Sequence, residues 1–344
     1  MILTLTPNPS LDKTVELDSA LIPGTVQRAV GTSAEPGGKG VNISRALAAA
    51  GQSALAVLPG DDADPVLAAL TELAVPHRGL RVGQTLRTNI TVTDPAGTTT
   101  KINEPGPPFD PALTEALITL TVDSSPGASW AALAGSLPPG APTDFYAQVI
   151  TRLRDHLGTA APRIAVDSSG PALAAAVAVK PDLIKPNADE LLELVETLTG
   201  RAPTIHHAPV TADELERHPA EVLSLVRAVQ HFGVQAALVT LGAHGALLVP
   251  PAEDDSPVLQ AGGPALVARS TVGAGDASLA GYLLATALDR PAVDAMRQAA
   301  AHGRAAAALP GSVMPTPEDL ELDVIVVNPF TPGKITAPEL RGTP

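Results

Sequence analysis

Between residues 111 and 250 the hydrophobic positions follow two habits in turn. Continuous apolar runs at about 129–134, 163–167, 182–185, 235–240 and 246–249 are separated by stretches at about 111–120, 142–157, 188–199 and 220–232, whose apolar residues return every three or four positions. The first habit belongs to strands buried on both faces and the second to helices that cover them. Their regular alternation predicts a mostly parallel sheet with right-handed crossovers. Residues 2–6 and 53–58 add strands at the start of the chain, and a helix follows to about residue 73.

Two stretches depart from this pattern. Residues 13–35 alternate weakly around Pro23-Gly24, and within 79–105 the runs Arg87-Thr-Asn-Ile-Thr-Val-Thr-Asp94 and Thr98-Thr-Thr-Lys-Ile-Asn103 alternate with period two across Pro95-Ala-Gly97. The second is a hairpin pattern, and its Thr-rich faces do not suit a central strand. Together the two predict a small sheet projecting from the main one, placed to cover a cleft or to pair with a second subunit. The expected organisation is one domain over residues 1–322 with this lid inserted at about 13–35 and 79–105. Residues 323–344 carry several prolines and no helical period, and read as a loose or docked tail. The polar insertion at 200–219 contains His206, His207 and His218, but no carboxylate or third His at ligand spacing to build a metal site.

Composition narrows the class. The chain has 344 residues, 45% of them hydrophobic and only 2% aromatic, so its core is built from Ala, Val and Leu, as suits a sheet covered by small-residue helices. The absence of Cys excludes disulfides, thiolate metal sites and cysteine nucleophiles. A net charge of -14 argues against nucleic acid or an anionic membrane held by a general basic surface. No apolar run reaches spanning length and no signal segment opens the chain, which points to a cytoplasmic enzyme.

The stretch with the most chemistry is Ser270-Thr-Val-Gly-Ala-Gly-Asp-Ala-Ser-Leu-Ala-Gly-Tyr-Leu-Leu284: a small-residue turn, one carboxylate, then an uncharged apolar helix. A helix entered near Ala274 leaves the amides of Gly273, Ala274 and Gly275 as unpaired donors at a positive dipole end, a cradle for an anion. Asp276 beside such a cradle is placed to accept a proton from a hydroxyl, although Asp276 alone fits a helix N-terminal residue equally well. Pro36-Gly-Gly-Lys-Gly40 is a second glycine-rich turn before a helix, with Lys39 offered either to an anion or to solvent. It is not a Walker loop, because Ser33 stands where that loop has glycine and Gly40 where it has Ser or Thr. The 273–278 segment is not a dinucleotide fingerprint either, since Ser278 replaces its third glycine. Asp12 follows the first strand, and later strand ends carry Gly135-Ser136, Asp167-Ser168-Ser169, Lys185-Pro-Asn187 and Thr240-Leu-Gly242, on the edge where open α/β sheets bind ligands.

Taken together, Gly37-Gly-Lys-Gly-Val-Asn-Ile-Ser-Arg45, Ser270-Thr-Val-Gly-Ala-Gly-Asp276 and the phrases INEPGP, GSLPPG, DSSG and KPNADEL resemble the PfkB, or ribokinase-like, carbohydrate kinases over roughly residues 1–320. The resemblance implies a ribokinase-like αβα core with a β-sheet lid, ATP and Mg²⁺ as cosubstrate, and a homodimer formed through the lid. It points to the branch that phosphorylates sugar phosphates, with fructose 1-phosphate to fructose 1,6-bisphosphate as the expected reaction and fructose 6-phosphate or tagatose 6-phosphate as alternative acceptors. By motif, Asp276 is the expected general base, and the amides of Gly273, Ala274, Gly275 and Asp276 are the anion hole. Asp12, Gly38, Lys39, Asn42, Arg87, Asn89, Lys101 and Ser136 are expected around the sugar phosphate. Lys185, Asn187, Glu190, Thr240, Gly242 and Gly245 are expected on the nucleotide side, with Glu190 and Asn187 helping to place Mg²⁺ indirectly. Ala277 and Ser270 depart from the residues most common in the family. A non-catalytic sugar-phosphate-binding regulator on the same scaffold is the alternative from another class.

Overall fold

The computed structural model describes residues 1–205 and 208–331, so the His206-His207 pair and the end of the chain lie outside the described residues. The first half contains β1 (Ile2–Leu5), β2 (Ser10–Leu17), β3 (Ala29–Gly37), α1 (Lys39–Ala49), β4 (Ala54–Pro59), α2 (Pro65–Glu72), β5 (His77–Leu80), β6 (Arg87–Thr93), β7 (Thr99–Asn103), α3 (Pro111–Asp123), β8 (Trp130–Ala134), α4 (Phe145–Leu157), β9 (Arg163–Asp167) and α5 (Gly170–Val177). It is followed by β10 (Leu183–Ile184), α6 (Ala188–Thr199), β11 (Thr204–Ile205), β12 (Ala208–Pro209), α7 (Ala212–Glu216), α8 (Pro219–Gln230), β13 (Ala236–Thr240), β14 (Ala246–Val249), β15 (Leu259–Gly262), α9 (Ala274–Ala287), α10 (Ala292–Ala308) and β16 (Val326–Pro329).

Ten strands form the main sheet in the order β16-β15-β14-β13-β10-β9-β8-β1-β4-β5. From β13 to β5 all pairings are parallel, whereas β13 to β16 are antiparallel. Apolar residues occupy both faces, as a doubly covered sheet requires. On β8, Ala131 and Leu133 join the core under α3 to α6 and α8, while Trp130, Ala132 and Ala134 join the core under α1, α9 and α10. On β1, Thr4 faces α1 and is satisfied there by Ser44, oxygen to oxygen at 2.8 Å. Among the described residues no helix is long and apolar enough to cross a membrane.

A separate four-stranded sheet, in the order β3-β2-β6-β7, forms the lid. Three boundaries differ from the sequence reading. The lid begins at Ser10, so Asp12 sits within β2, rather than in a loop beyond a strand end. His77–Leu80 is the edge strand of the main sheet, so the lid's second half starts only at Arg87. Val326–Pro329, assigned to the tail, is the other edge strand, paired antiparallel to β15. Neither edge strand has a continuous apolar run to mark it: β5 is HRGL and β16 is VVNP.

Candidate active site

The carboxyl ends of β1, β8 and β9, the first turns of α1, α6 and α9, and the inner face of the lid border a cleft of about 250 Å³. The lid contributes Ser10, Asp12, Arg87 and Asn89. From the core come Gly38, Lys39, Asn42, Ser136, Glu190, Gly273 and Asp276. Residues from opposite ends of the sequence therefore meet here, at the edge of an open α/β sheet that binds ligands.

Helix α9 enters from Gly273, whose left-handed backbone (φ 75°) turns the chain so that the first turn faces the cleft. The amides of Gly275 and Asp276 have no intrahelical acceptor, as in the first turn of any helix, and the Ala274 amide reaches back to Thr271 O at 3.4 Å. No side chain caps this terminus. Asp276 is buried, and its Oδ2 accepts a hydrogen bond of 2.8 Å from Asn42 Nδ2 on α1. Burial, with the nearby charge of Asp167, pushes its carboxyl up to about 6 despite the opposing pull of Lys39, Lys185 and Asn42. A carboxylate in that range accepts a proton near neutral pH while remaining largely ionised.

Behind it lies a cluster of opposed charges. Lys39 Nζ ion-pairs with Asp167 Oδ1 and Glu190 Oε1, both at 2.7 Å, and Lys185 Nζ lies 3.0 Å from Asp167 Oδ2. Burial works against the Lys39 charge, yet Asp167, Glu190 and Asp276 hold its ammonium above its ordinary range. Asp167 is likewise buried, but Lys185 and Lys39 hold its carboxyl below the usual carboxylate range. Lys39, read from the sequence as a cation for the sugar phosphate, is thus already engaged by two carboxylates. Lys185 borders the anion cradle itself: a Cβ added at Gly275 would lie 3.1 Å from its Nζ.

On the lid, Asp12 Oδ1 accepts hydrogen bonds from Ser10 Oγ at 2.7 Å and Asn89 Nδ2 at 3.0 Å. The register makes this possible, because Asp12 sits opposite Asn89 on β6 and Glu35 on β3. Arg87 donates to the carbonyls of Asn8 at 2.9 Å and Glu104 at 3.3 Å, which ties the hairpin to the strand of entry. Its Nε, Asn89 Oδ1 and Asn8 Oδ1 are buried with no protein partner. Buried polar atoms of this kind call for a partner such as water or a bound ligand.

The remaining expected residues divide. Ser136 lines the cleft at the end of β8. Asn187 caps α6 through a reciprocal box with Glu190: Asn187 Oδ1 accepts from the Glu190 amide at 2.8 Å, and Glu190 Oε2 accepts from the Asn187 amide at 3.0 Å. Thr240 bridges to Asn187, and Gly242 (φ 50°) and Gly245 (φ 90°) shape the turn into β14, a site beside the cleft rather than in its lining. Lys101 does not join the cleft; it is exposed on β7, the outer strand of the lid. Its register opposite Thr91 puts it on the same face as Arg87 and Asn89, but further along the strand, beyond the cleft.

Asn8 and Ser10 also line the cleft, and the sequence pattern does not single them out; Asp167, which it places at a ligand-binding strand end without a role, pairs with Lys39 and Lys185. A signal for Asp167 exists in outline, since a lone carboxylate ends an otherwise apolar strand, RIAVD. Among the described residues no group of three or more His, Asp or Glu forms a metal cluster. Both Glu190 oxygens are engaged, one by Lys39 and one by the Asn187 amide, so the site suits a metal that arrives with phosphate ligands of its own and is met through water.

Comparison with known proteins gives this geometry a context. The pfkB family carbohydrate kinase profile matches residues 8–319. The chain belongs to the PfkB family of carbohydrate kinases. Within the family it is 34% identical over 328 residues to a 1-phosphofructokinase of Rhodobacter capsulatus, covering 93% of this chain and 94% of the relative. It is 29% identical over 324 residues to the ATP-dependent 6-phosphofructokinase isozyme 2 of Escherichia coli K12, covering 93% and 96%. The crystal structure of phosphofructokinase-2 from Escherichia coli in complex with substrates and products superposes with a TM-score of 0.78 at 30% identity, over 92% of this chain and 96% of that one. The αβα core and separate small sheet are therefore those of a ribokinase-like PfkB kinase, and the chain is a sugar kinase.

Proposed function

We propose that the protein transfers the γ-phosphoryl group of Mg-ATP to O6 of fructose 1-phosphate, giving fructose 1,6-bisphosphate and ADP. The observation that carries the mechanism is Asp276: buried, held by Asn42, and raised to about 6 at the mouth of an uncapped helix N-terminus. Likeness to enzymes named 1-phosphofructokinase supports the acceptor.

In this reading the sugar phosphate lies under the lid between Asp12, Asn89, Ser136 and Asn42, with its phosphate toward Arg87. Lys39 and Gly38 border the sugar, and Lys101 of a second copy completes the phosphate site across a lid-to-lid dimer. Exposed Val26, Val30 and Ile102 on the lid support such a contact. ATP lies along Asn187, Thr240, Gly242 and Gly245, its γ-phosphoryl over the first turn of α9. Glu190 and Asn187 would hold the Mg²⁺ of Mg-ATP through water, and that ion would supply charge neutralisation to the phosphates.

Asp276 takes the proton from the 6-hydroxyl as that oxygen bonds to the γ-phosphorus and the bond to the ADP oxygen breaks. The amides from Gly273 to Asp276 and the Lys185 ammonium meet the charge on the transferred group, so catalysis is positioning and electrostatics more than covalent chemistry. The test is Asp276→Asn. Turnover is expected to fall at least about a hundredfold with sugar-phosphate affinity largely kept; turnover within about threefold of the parent would remove Asp276 as the base. A second reading, a 6-phosphate acceptor, is favoured by the likeness to the Escherichia coli 6-phosphofructokinase and keeps the same chemistry with the sugar reversed.

A further inference from the structure

We infer that Arg45, which lies outside the cleft lining, is a positioning residue that fixes the Asn42 amide against Asp276 and ties that amide to the lid. The inference rests on Asp276 being the base. Arg45 is on α1, buried, one turn beyond Asn42. Its Nη2 ion-pairs with Glu35 of β3 at 2.6 Å, and its Nη1 donates to Pro36 O at 2.9 Å and Ser312 O at 3.1 Å, with Asn42 Oδ1 at 3.4 Å sharing one of those two protons.

The chemistry of the groups sets the direction. A guanidinium only donates and a carboxylate only accepts, whereas an amide has one accepting and one donating end. With Arg45 on one side, Asn42 is held with Oδ1 toward the guanidinium, which leaves Nδ2 to donate to Asp276 at 2.8 Å. The reversed amide would set oxygen against the carboxylate and NH₂ against the guanidinium, two repulsive contacts in a buried place. Because Arg45 also holds Glu35 and Pro36 at the end of β3, the amide facing the base is anchored to the strand that carries the lid.

The charges around the pair stay in place when Arg45 is changed conservatively. Asp276 is faced by Asp167 from β9, Lys39 from α1 and Lys185 after β10; Arg45 is faced by Glu35 and Asp12 from the lid. Arg45→Lys keeps the positive charge and loses the fork, so Asn42 is free to turn and the ionised form of Asp276 loses its donor. The proton on Asp276 then holds on to higher pH.

The experiment is the pH profile of kcat for the full chain with Mg-ATP and fructose 1-phosphate, for the parent, Arg45→Lys, Glu35→Ala and Asp276→Asn, with thermal melts to establish folding. The expected result for Arg45→Lys is an acid limb moved up by about one pH unit, a plateau lower by about tenfold, and KM for the sugar phosphate within about threefold. Glu35→Ala, on the half-buried rim, moves the limb in the same direction by less, and decides the matter where Arg45→Lys does not fold. A limb that stays in place in the folded variants, with kcat lowered evenly across pH or unchanged, overturns the inference. Asp276→Asn separates the two failures, since a near-dead Asp276→Asn beside an unmoved limb leaves the base in place and removes only Arg45. An active Asp276→Asn removes the base reading itself, and the inference with it.

Discussion

Burial and Asp167 raise the Asp276 carboxyl to about 6, while Lys39, Lys185 and the Asn42 amide hold it from rising further. A base must be ionised to work, so kcat is expected to fall as pH drops through about 6, by about tenfold per unit on the acid side, and to recover on return. The stability contribution of the same group has the opposite sign: its folded-state affinity for protons exceeds that of the unfolded chain, so protonation between about 6 and the ordinary carboxylate range favours the folded state. The loss of activity at pH 5 therefore comes with unchanged circular dichroism, and a kcat that stays flat down to pH 5 contradicts the assignment. At this scale the chain is partly legible. Asp276 announces itself because its glycine cradle is contiguous with it, whereas the Lys39–Asp167 pair joins residues 128 positions apart and has no local signature. Nor does Arg45, which reads as an ordinary helical Arg until Asn42 and the lid are brought to it.

The lid is an element whose inner surface is set by strand register. Asp12 and Asn89 face each other because β2 and β6 run parallel in step from Ser10↔Arg87, and Gly37 ends β3 opposite Ser10. Space for the Asp12 carboxylate is kept by that glycine, since a Cβ at Gly37 would collide with Asp12 Oδ2. In Gly37→Ala the carboxylate is displaced from Ser10 and Asn89. KM for the sugar phosphate is expected to rise about tenfold with KM for ATP unchanged, the size of one lost hydrogen bond to a charged group. Steady-state kinetics against both substrates checks this, and a rise in KM for ATP instead contradicts the division of the cleft. Period-two alternation makes the hairpin at residues 87–103 legible, but not the start of the lid at Ser10. There the chain runs from β1 through Pro7-Asn8-Pro9 straight into a new sheet, and prolines that read as a turn mark only the change of sheet.

At the scale of the whole molecule, the parallel heart of the sheet is readable because both its faces are apolar, while the antiparallel extension through β14, β15 and β16 follows from no pattern of alternating helices. In the proposed reading that extension serves the nucleotide side, since the turn between β13 and β14 carries Gly242 and Gly245 beside the Asn187 cap. The molecule gathers charges locally despite a net charge of -14: two lysines and three carboxylates meet at the cleft floor, and Arg87 stands at its lid. Such a site suits a reaction that brings two phosphorylated partners together. The most direct measurement is ADP release with Mg-ATP against fructose 1-phosphate, fructose 6-phosphate, tagatose 6-phosphate and free fructose, ranked by kcat/KM. The account predicts a clear preference for fructose 1-phosphate, by about tenfold or more over either 6-phosphate. Preference for a 6-phosphate contradicts the acceptor assignment, and no ADP release with any of the four contradicts the proposed reaction.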